Sequence, residues 1–445
     1  MASDLLSIGA SGARAARGAL DVTAQNIANA ASEGYVRRSV RMEEVSAAGG
    51  QLRTGDLSLS GVRIAGITRN ADPFRQAEVR RTTSDLSRSA TELKGLENIE
   101  AAIEQAGMFA AITEFEASLQ QLAVDPTDPS LRAAVIAGAQ TMAQKVNLAD
   151  SSTASAAEGM RFEAQAATDL ANVIGGELAR VNLRLSRAGA GSSDRASLLD
   201  RRDTLLEQLS GIADIATSFA ADGGVSVRLG GSGGPLFVAG GTAGTLAMTS
   251  AADGTVAYDL DGTALTLSGG SLAGAALALD QAALMRGRLD AIADGIAATV
   301  NAAQASGAAL DGSPGQPLFA GTGAAGLRVA FTDGAGLATA AAGQPAGSRD
   351  AANLAAMRQA LATEAPASST NALLFDISAL VQSRTLTHEA IDTIAASARI
   401  TLEQQAGVDL DTEATNLIRF QQAFQASARA MQVSSELFDT LLGIG

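Results

Sequence analysis

Residues 410–442 read LDTEATNLIRFQQAFQASARAMQVSSELFDTLL. Leu410, Leu417, Phe424, Met431 and Phe438 recur every seven residues, with Ala414, Gln421, Ala428, Ser435 and Leu442 four places further on. That is the spacing of a coiled-coil seam. Asp409 or Asp411 can cap the helix, Asp411 and Glu413 suit the positive end of its dipole, and Gly443 stops it. Such a helix is about 50 Å long at 1.5 Å per residue. Burying its large apolar residues contributes roughly 1.5–3 kcal/mol each, while ordering the chain costs on the order of 1–2 kcal/mol per residue for the backbone alone. The helix needs a partner.

The other end of the chain offers one. Leu6, Ala13, Leu20 and Ile27 also recur every seven residues, and the small positions Gly9, Gly12, Ala16 and Ala19 let helix backbones approach closely. The two termini are expected side by side, in a weak, small-residue pair suited to assembly with further subunits.

Length and composition narrow the rest. At 445 residues the chain is long enough for two or three domains. Hydrophobic content of 47% fits a globular protein, but aromatics are only 3%, so Ala and Gly fill helical cores. The formal net charge of -15 disfavours nucleic acid and anionic membrane as partners. Without cysteine there are no disulfides or thiolate metal sites. The start of the chain lacks the basic and apolar regions of a signal peptide, and no long uncharged apolar run is present. The expectation is a cytoplasmic protein or one exported without such a signal.

In order, Asn29 to Gly34 reads as a helix exit, and Val36 to Met42 alternates like a strand. Gly49-Gly50 is an expected turn, and Val62-Arg63-Ile64 a second strand. Asp72-Pro73 opens a helix running to about Gly107, continued from Phe109 to Leu122. Asp125-Pro126-Thr127-Asp128-Pro129 is a turn between antiparallel helices, after which a third helical region begins at Leu131 and a fourth runs to about Leu209. From Ile215 the chain becomes Gly-rich, with strand patterns at Val225–Leu229, Leu236–Val238 and Ala264–Leu267. Helix resumes at Ala273 to about Gln304, Leu327 to Phe331 is a short strand, and Ala351 to Ala362 and Leu373 to Gln405 are helical. The expected fold is mainly α, elongated and multidomain. It has paired N- and C-terminal coiled-coil helices (residues 1–71 with 408–445), a long antiparallel helical bundle (72–214 with 273–407) and a small β-rich insertion domain (215–272).

Catalytic signals are weak. Gly230-Gly231-Ser232-Gly233-Gly234 has the glycine spacing of a hydrolase nucleophile elbow, but a strand follows where that motif needs a helix. His388 is the single histidine, too few for a zinc site in a cysteine-free chain. Asp259-Leu260-Asp261-Gly262 lacks the remaining ligands of a calcium loop and reads as a turn. The arginines from Arg37 to Arg81 form a basic segment without an aromatic platform, expected to be a solvated or subunit-contacting surface. No enzyme and no cofactor is expected.

The two ends carry a resemblance. Leu20-Asp21-Val22-Thr23-Ala24-Gln25-Asn26-Ile27-Ala28-Asn29-Ala30, followed by Gly34-Tyr35 and Arg37, resembles the N-terminal signature of the flagellar rod, hook and hook-associated proteins, with Ser32-Glu33 where that family usually has Thr-Pro. Val408 to Asp411, Asn416 to Ala426 and Leu437 to Leu442 resemble its hook–filament junction members. Asp125 to Arg132 and Leu198 to Leu205 support this. The resemblance implies a structural subunit of the bacterial flagellum, extracellular after cytoplasmic synthesis and exported unfolded by the flagellar type III apparatus. Its implied partners are a ring of like subunits, the hook protein, the second hook–filament junction protein and a cytoplasmic chaperone on the C-terminal helix. The interaction residues expected are Leu6, Leu20, Asn26, Ile27, Asn29, Gly34 and Tyr35 near one end, and Leu410, Leu417, Phe420, Phe424, Met431, Phe438 and Leu442 near the other. A rod or hook subunit is the alternative, and a secreted hydrolase a remote one.

Overall fold

The computed structural model describes residues 2–32, 34–46 and 59–442. The Phe438 and Leu442 side chains, the Gly49-Gly50 turn and the Gly443 helix stop lie outside the described residues.

The chain opens with α1 (Ala2–Ala28), followed by a two-stranded antiparallel ribbon of β1 (Arg38–Ser46) and β2 (Leu59–Arg69). At α2 (Pro73–Ala106), the Asp72 carboxylate accepts hydrogen bonds from the Phe74 and Arg75 amides at 2.8 and 3.3 Å, and Pro73 sits where its missing N–H costs nothing. Gly107, at φ 68°, separates α2 from α3 (Met108–Leu122). Asp128 then caps α4 (Pro129–Leu185), accepting from the Ser130 and Leu131 amides at 2.7 and 2.9 Å. The expected turn is confirmed: α3 and α4 double back, bringing Gly138 beside Phe115 and Ser118. Ser192 caps α5 (Ser193–Ile212) through the Arg195 amide.

Strands resume at Ile215, where the composition changes. The antiparallel sheet β3 (Ile215–Phe219), β4 (Val225–Leu229), β5 (Leu236–Ala239) and β6 (Thr242–Ala243) is followed by β7 (Leu246–Ser250), β8 (Val256–Leu260) and β9 (Thr263–Leu265) in a second sheet. Val225, Val227 and Leu229 are buried in alternation, as a half-covered strand requires. Gly230 to Gly234 is the β4–β5 turn, not a nucleophile elbow. Then come α6 (Gly270–Ala305), the short pieces β10 (Gly307–Ala308), β11 (Phe319–Ala320), α7 (Gly323–Gly326), β12 (Arg328–Val329) and β13 (Ala340–Ala341), and the helices α8 (Ala352–Glu364), α9 (Pro366–Ala406) and α10 (Leu410–Leu442). Asp409 caps α10 through the Asp411 and Thr412 amides at 2.9 and 3.2 Å.

The chain divides into two compact units: residues 1–84, 171–245 and 392–445, and residues 85–170 and 246–391. Residues 215–272, expected as a domain of their own, part between Thr245 and Leu246. In the first unit the Asn182 amide donates to the Val225 and Gly240 carbonyls, and Gly175 leaves room for the Phe237 ring, tying β4 and β5 to α4. In the second, the Tyr258 hydroxyl donates to the Leu272 carbonyl, tying β8 to α6. The second unit carries a continuous core that includes Leu96, Ile99, Ile112, Phe115, Met142 and Ile296, with Phe115 and Phe319 edge to face at 6.0 Å.

Candidate functional site

The first unit brings both ends of the chain together. In α1 the buried residues are small: Ala13, Ala15, Ala16 and Ala19, with Val22. Gly9 and Gly12 face α10 closely enough that a Cβ on either would lie 2.7 Å from Met431 or Ser427 side-chain atoms. The small-residue approach expected from the sequence is thus present. The packed face of α10 runs through Glu413, Phe420, Ser427 and Ser434 and through Leu417 and Met431. Of the expected second row Ala428 is half-buried, but Ala414, Gln421 and Ser435 are exposed and the packing falls one position earlier, because Glu413 is drawn inward by Arg37 and Ser427 meets the glycines of α1.

Beyond α1 the chain is held by side chains. The Asn26 amide, 1% exposed, donates to the Arg38 carbonyl at 2.9 Å and accepts from the Arg38 amide at 3.0 Å and the Tyr35 hydroxyl at 2.8 Å. One side chain thereby closes the loop from α1 to β1. Gly34, at φ 75°, takes the left-handed conformation there and lies against Thr204. Arg37 Nε donates to the buried Glu413 carboxylate at 2.6 Å, and the Arg37 amide to the Ala406 carbonyl at 2.9 Å. Asn70 and Arg75 add bonds to the carbonyls of Gln405 and Thr401. The segment after α1 is fastened to both α9 and α10.

A buried ion network supports this junction. Asp200 accepts from Arg38 and Arg69, and Asp203 from Arg69, Arg202 and Gln76. Burial raises the Asp200 carboxyl above the ordinary range, against the pull of Arg69 and Arg38. Burial acts the same way on Asp203, but Arg202 and Arg69 prevail and hold it below the ordinary range. Tyr35 is raised, chiefly by burial, with Arg38 stacked 4.9 Å from its ring centre and opposing the shift. The arginines expected on a solvated surface are in part interior: Arg38, Arg69 and Arg80 are buried. Asp200 and Asp203 on α5 neutralise two of them.

The expected interaction residues separate into two groups. Asn26 is buried and Asn29, Tyr35 and Leu20 half-buried, with Asn26 and Tyr35 joined directly. Leu417, Phe420 and Met431 are half-buried, whereas Leu6, Ile27, Gly34, Leu410 and Phe424 are exposed. Leu5, Ile418, Val433 and Leu437 extend the exposed apolar set. Sequence reasoning missed Glu413, Arg38, Asp200 and Asp203 as parts of the site. The aspartates Asp200 and Asp203, three places apart on one helix, with the arginines of residues 37–81 as complement, were the available signal. Among the described residues no three His, Asp or Glu side chains converge as metal ligands, and no helix is long and apolar enough to cross a membrane. His388 lies half-buried on α9.

Residues 93–319, just over half of the chain, match the family described as flagellar hook-associated protein FlgK helical domain. This chain belongs to the FlgK family. Residues 403–444, which include α10 of this FlgK-family chain, also match the family described as flagellar basal body rod FlgEFG protein C-terminal. Flagellar hook-associated protein 1 of Salmonella typhimurium is 28% identical over 227 residues, covering 50% of this chain and 40% of that protein. Its Bacillus subtilis counterpart is 25% identical over 217 residues, covering 47% and 43%. The chain thus spans about two fifths of the length of these relatives. The flagellar hook junction protein FlgK of Burkholderia pseudomallei, a solved structure, is 26% identical with a TM-score of 0.49, covering 54% of this chain and 46% of that one.

Proposed function

We propose that this chain is a structural subunit at the junction of hook and filament in the bacterial flagellum, polymerised through its terminal helices. The observation that carries this reading is the set of apolar side chains left exposed along a helix pair to which α1 contributes mainly small residues: Leu5, Leu6 and Ile27 on α1, and Leu410, Ile418, Phe424, Val433 and Leu437 on α10. Each is already about half covered, so complete cover by a neighbour contributes roughly 1 kcal/mol apiece, about half of the value for full burial. Association costs roughly 4–15 kcal/mol in lost freedom, so several of them acting together are needed, as in a ring of like subunits. The hook protein below and the second junction protein above are the further partners, and the ring lies outside the cell. A marginal terminal pair also suits export in unfolded form, with a cytoplasmic chaperone covering α10 before assembly. The rod or hook alternative draws on the C-terminal match alone, and the helical-domain match favours the junction.

The test is complementation of a strain that lacks its own copy of this subunit. The wild-type chain is expected to restore filaments. Ile418→Asp with Leu437→Asp changes side chains that are 56% and 49% exposed, so the purified monomer should keep its unfolding midpoint while cells carry bare hooks. Normal filaments on the double variant, or none with the wild-type chain, would sink this reading.

A further inference from the structure

The charges on the outside of the α1–α10 pair are sorted along its length. Gly9 faces Met431 and Gly12 faces Ser427, so the helices run antiparallel and each residue of one has a level on the other. Over the middle of the pair Arg429, Arg14, Arg17 and Arg419 follow one another within about 15 Å, at 1.5 Å per residue. All four are exposed, and none forms an ion pair among the described residues. Arg14 donates to the Ala10 carbonyl, and Arg419 lies over the Phe420 ring. In residues 10–21 and 418–430 Asp21 is the one acidic residue. The described part of the β1–β2 ribbon at these levels is balanced, with Arg41 and Arg63 against Glu43 and Glu44. Towards the start of α1 the sign reverses. Residues 431–442 carry Glu436 and Asp439, both exposed, and neither they nor residues 2–9 contain a lysine or arginine. The acidic end and the basic band are centred about 20 Å apart. That is more than twice the Debye length of about 8 Å at physiological ionic strength, so within one copy they do not neutralise each other.

We propose that the basic band of one copy receives the acidic end of a second copy that points the same way and is displaced along the helix pair by about 20 Å. The inference rests on the reading that the chain assembles through its terminal helices. The local charge pattern selects the register. Two copies at equal height set band against band and acidic end against acidic end, whereas the displaced arrangement joins opposite signs. A reversed second copy also joins them, but it closes at two subunits, while end-to-band contact between copies of one direction is heterologous and continues from copy to copy. The exposed apolar side chains agree. Ile418 stands beside Arg419, and Val433 one turn before Glu436, so a single contact covers both kinds of group. Arginine adds orientation, because it meets a carboxylate in a two-bonded pair.

The chain has no cysteine, so Arg17→Cys with Glu436→Cys supplies its only thiols. Within a copy the two positions are about 20 Å apart, far beyond the roughly 4.4–6.8 Å between Cα atoms that a disulfide spans. Flagella isolated with their hooks from a strain carrying only this variant are oxidised and run on a non-reducing gel. A ladder of dimers, trimers and longer multimers is expected, absent with either single substitution. A ladder that stops at dimers, as a reversed pair gives, dimers from Arg17→Cys alone, as copies at equal height give, or no cross-linked product would each overturn the proposal. Charge reversal is the second measurement. Arg14→Glu with Arg17→Glu, and Glu436→Arg with Asp439→Arg, change exposed side chains, so each purified monomer is expected to keep its unfolding midpoint while filaments per cell fall at least tenfold. Combining the two reversals is expected to recover most of that loss. Wild-type filament numbers with either reversal, or no recovery in the combination, would also count against the proposal, and where a reversal lowers the midpoint the disulfide ladder decides. Failure of the wild-type chain to restore filaments would instead overturn the functional reading beneath it.

Discussion

Asp203 ties three parts of the first unit together through Arg69, Arg202 and Gln76. Because its folded-state carboxyl is held below the ordinary range, its contribution to stability is complete above the unfolded aspartate value of about 3.9. It is lost as pH falls through the lower folded value. Asp200 acts with the opposite sign, since burial raises it and its contribution declines as pH climbs above the ordinary range. Asp203→Asn should therefore flatten the acid side of the stability curve, measured by urea unfolding below pH ~4. At neutral pH it should cost about 3 kcal/mol, the lower end for breaking a buried pair, because Arg69 keeps Asp200 as a partner. An acid limb identical to wild type would rule out this assignment.

At the scale of elements, two close approaches are open to test. A Cβ at Gly9 would lie 2.7 Å from Met431 Cγ and 3.3 Å from the Ser427 carbonyl oxygen. Replacing a helical glycine gains up to ~1 kcal/mol in propensity, but overpacking costs about 1–3 kcal/mol. Gly9→Val should therefore destabilise the α1–α10 pair by about 1 kcal/mol or more, seen as faster hydrogen exchange in peptides from both helices; slower exchange would contradict the packing. In the second unit, Arg132 is 1% exposed and donates to the carbonyls of Pro126, Gly334 and Leu337 and to the Thr339 hydroxyl. Arg132→Met keeps the apolar stem but strands those acceptors. With each unsatisfied group costing about 1–3 kcal/mol, a loss of at least 3 kcal/mol in thermal unfolding is expected, and a neutral result would mean that water replaces the guanidinium.

For the whole molecule, the two units differ in what they bury. The second unit's core packs Leu, Ile, Phe and Met side chains, many with no exposure, among its alanines and valines, whereas α1 buries mostly alanine, with Leu5 and Leu6 exposed and Leu20 half-buried. Opening free energies follow local burial. Hydrogen exchange on the monomer should thus show residues 96–122 and 278–300 well protected and residues 2–28 and 410–442 poorly protected. Equal protection would make the terminal helices a self-contained core, and assembly would lose its physical basis.

Much of the architecture was legible in the sequence because its causes are local. The heptads placed α10 over Leu410–Leu442, and the short reach of an aspartate to the next amides marked the starts of α2 and α10 at Asp72 and Asp409. Gly-rich stretches marked the β4–β5 turn. The terminal pair was legible too, from glycine and alanine spacing. Which side of α10 is packed, which arginines are interior and where residues 215–272 divide were decided by tertiary structure. The reason is separation along the chain. Arg69 meets Asp200 across 131 residues and Arg37 meets Glu413 across 376, so no local window contains both partners. Until the fold brings them together, an arginine destined for a buried ion pair reads like one destined for water.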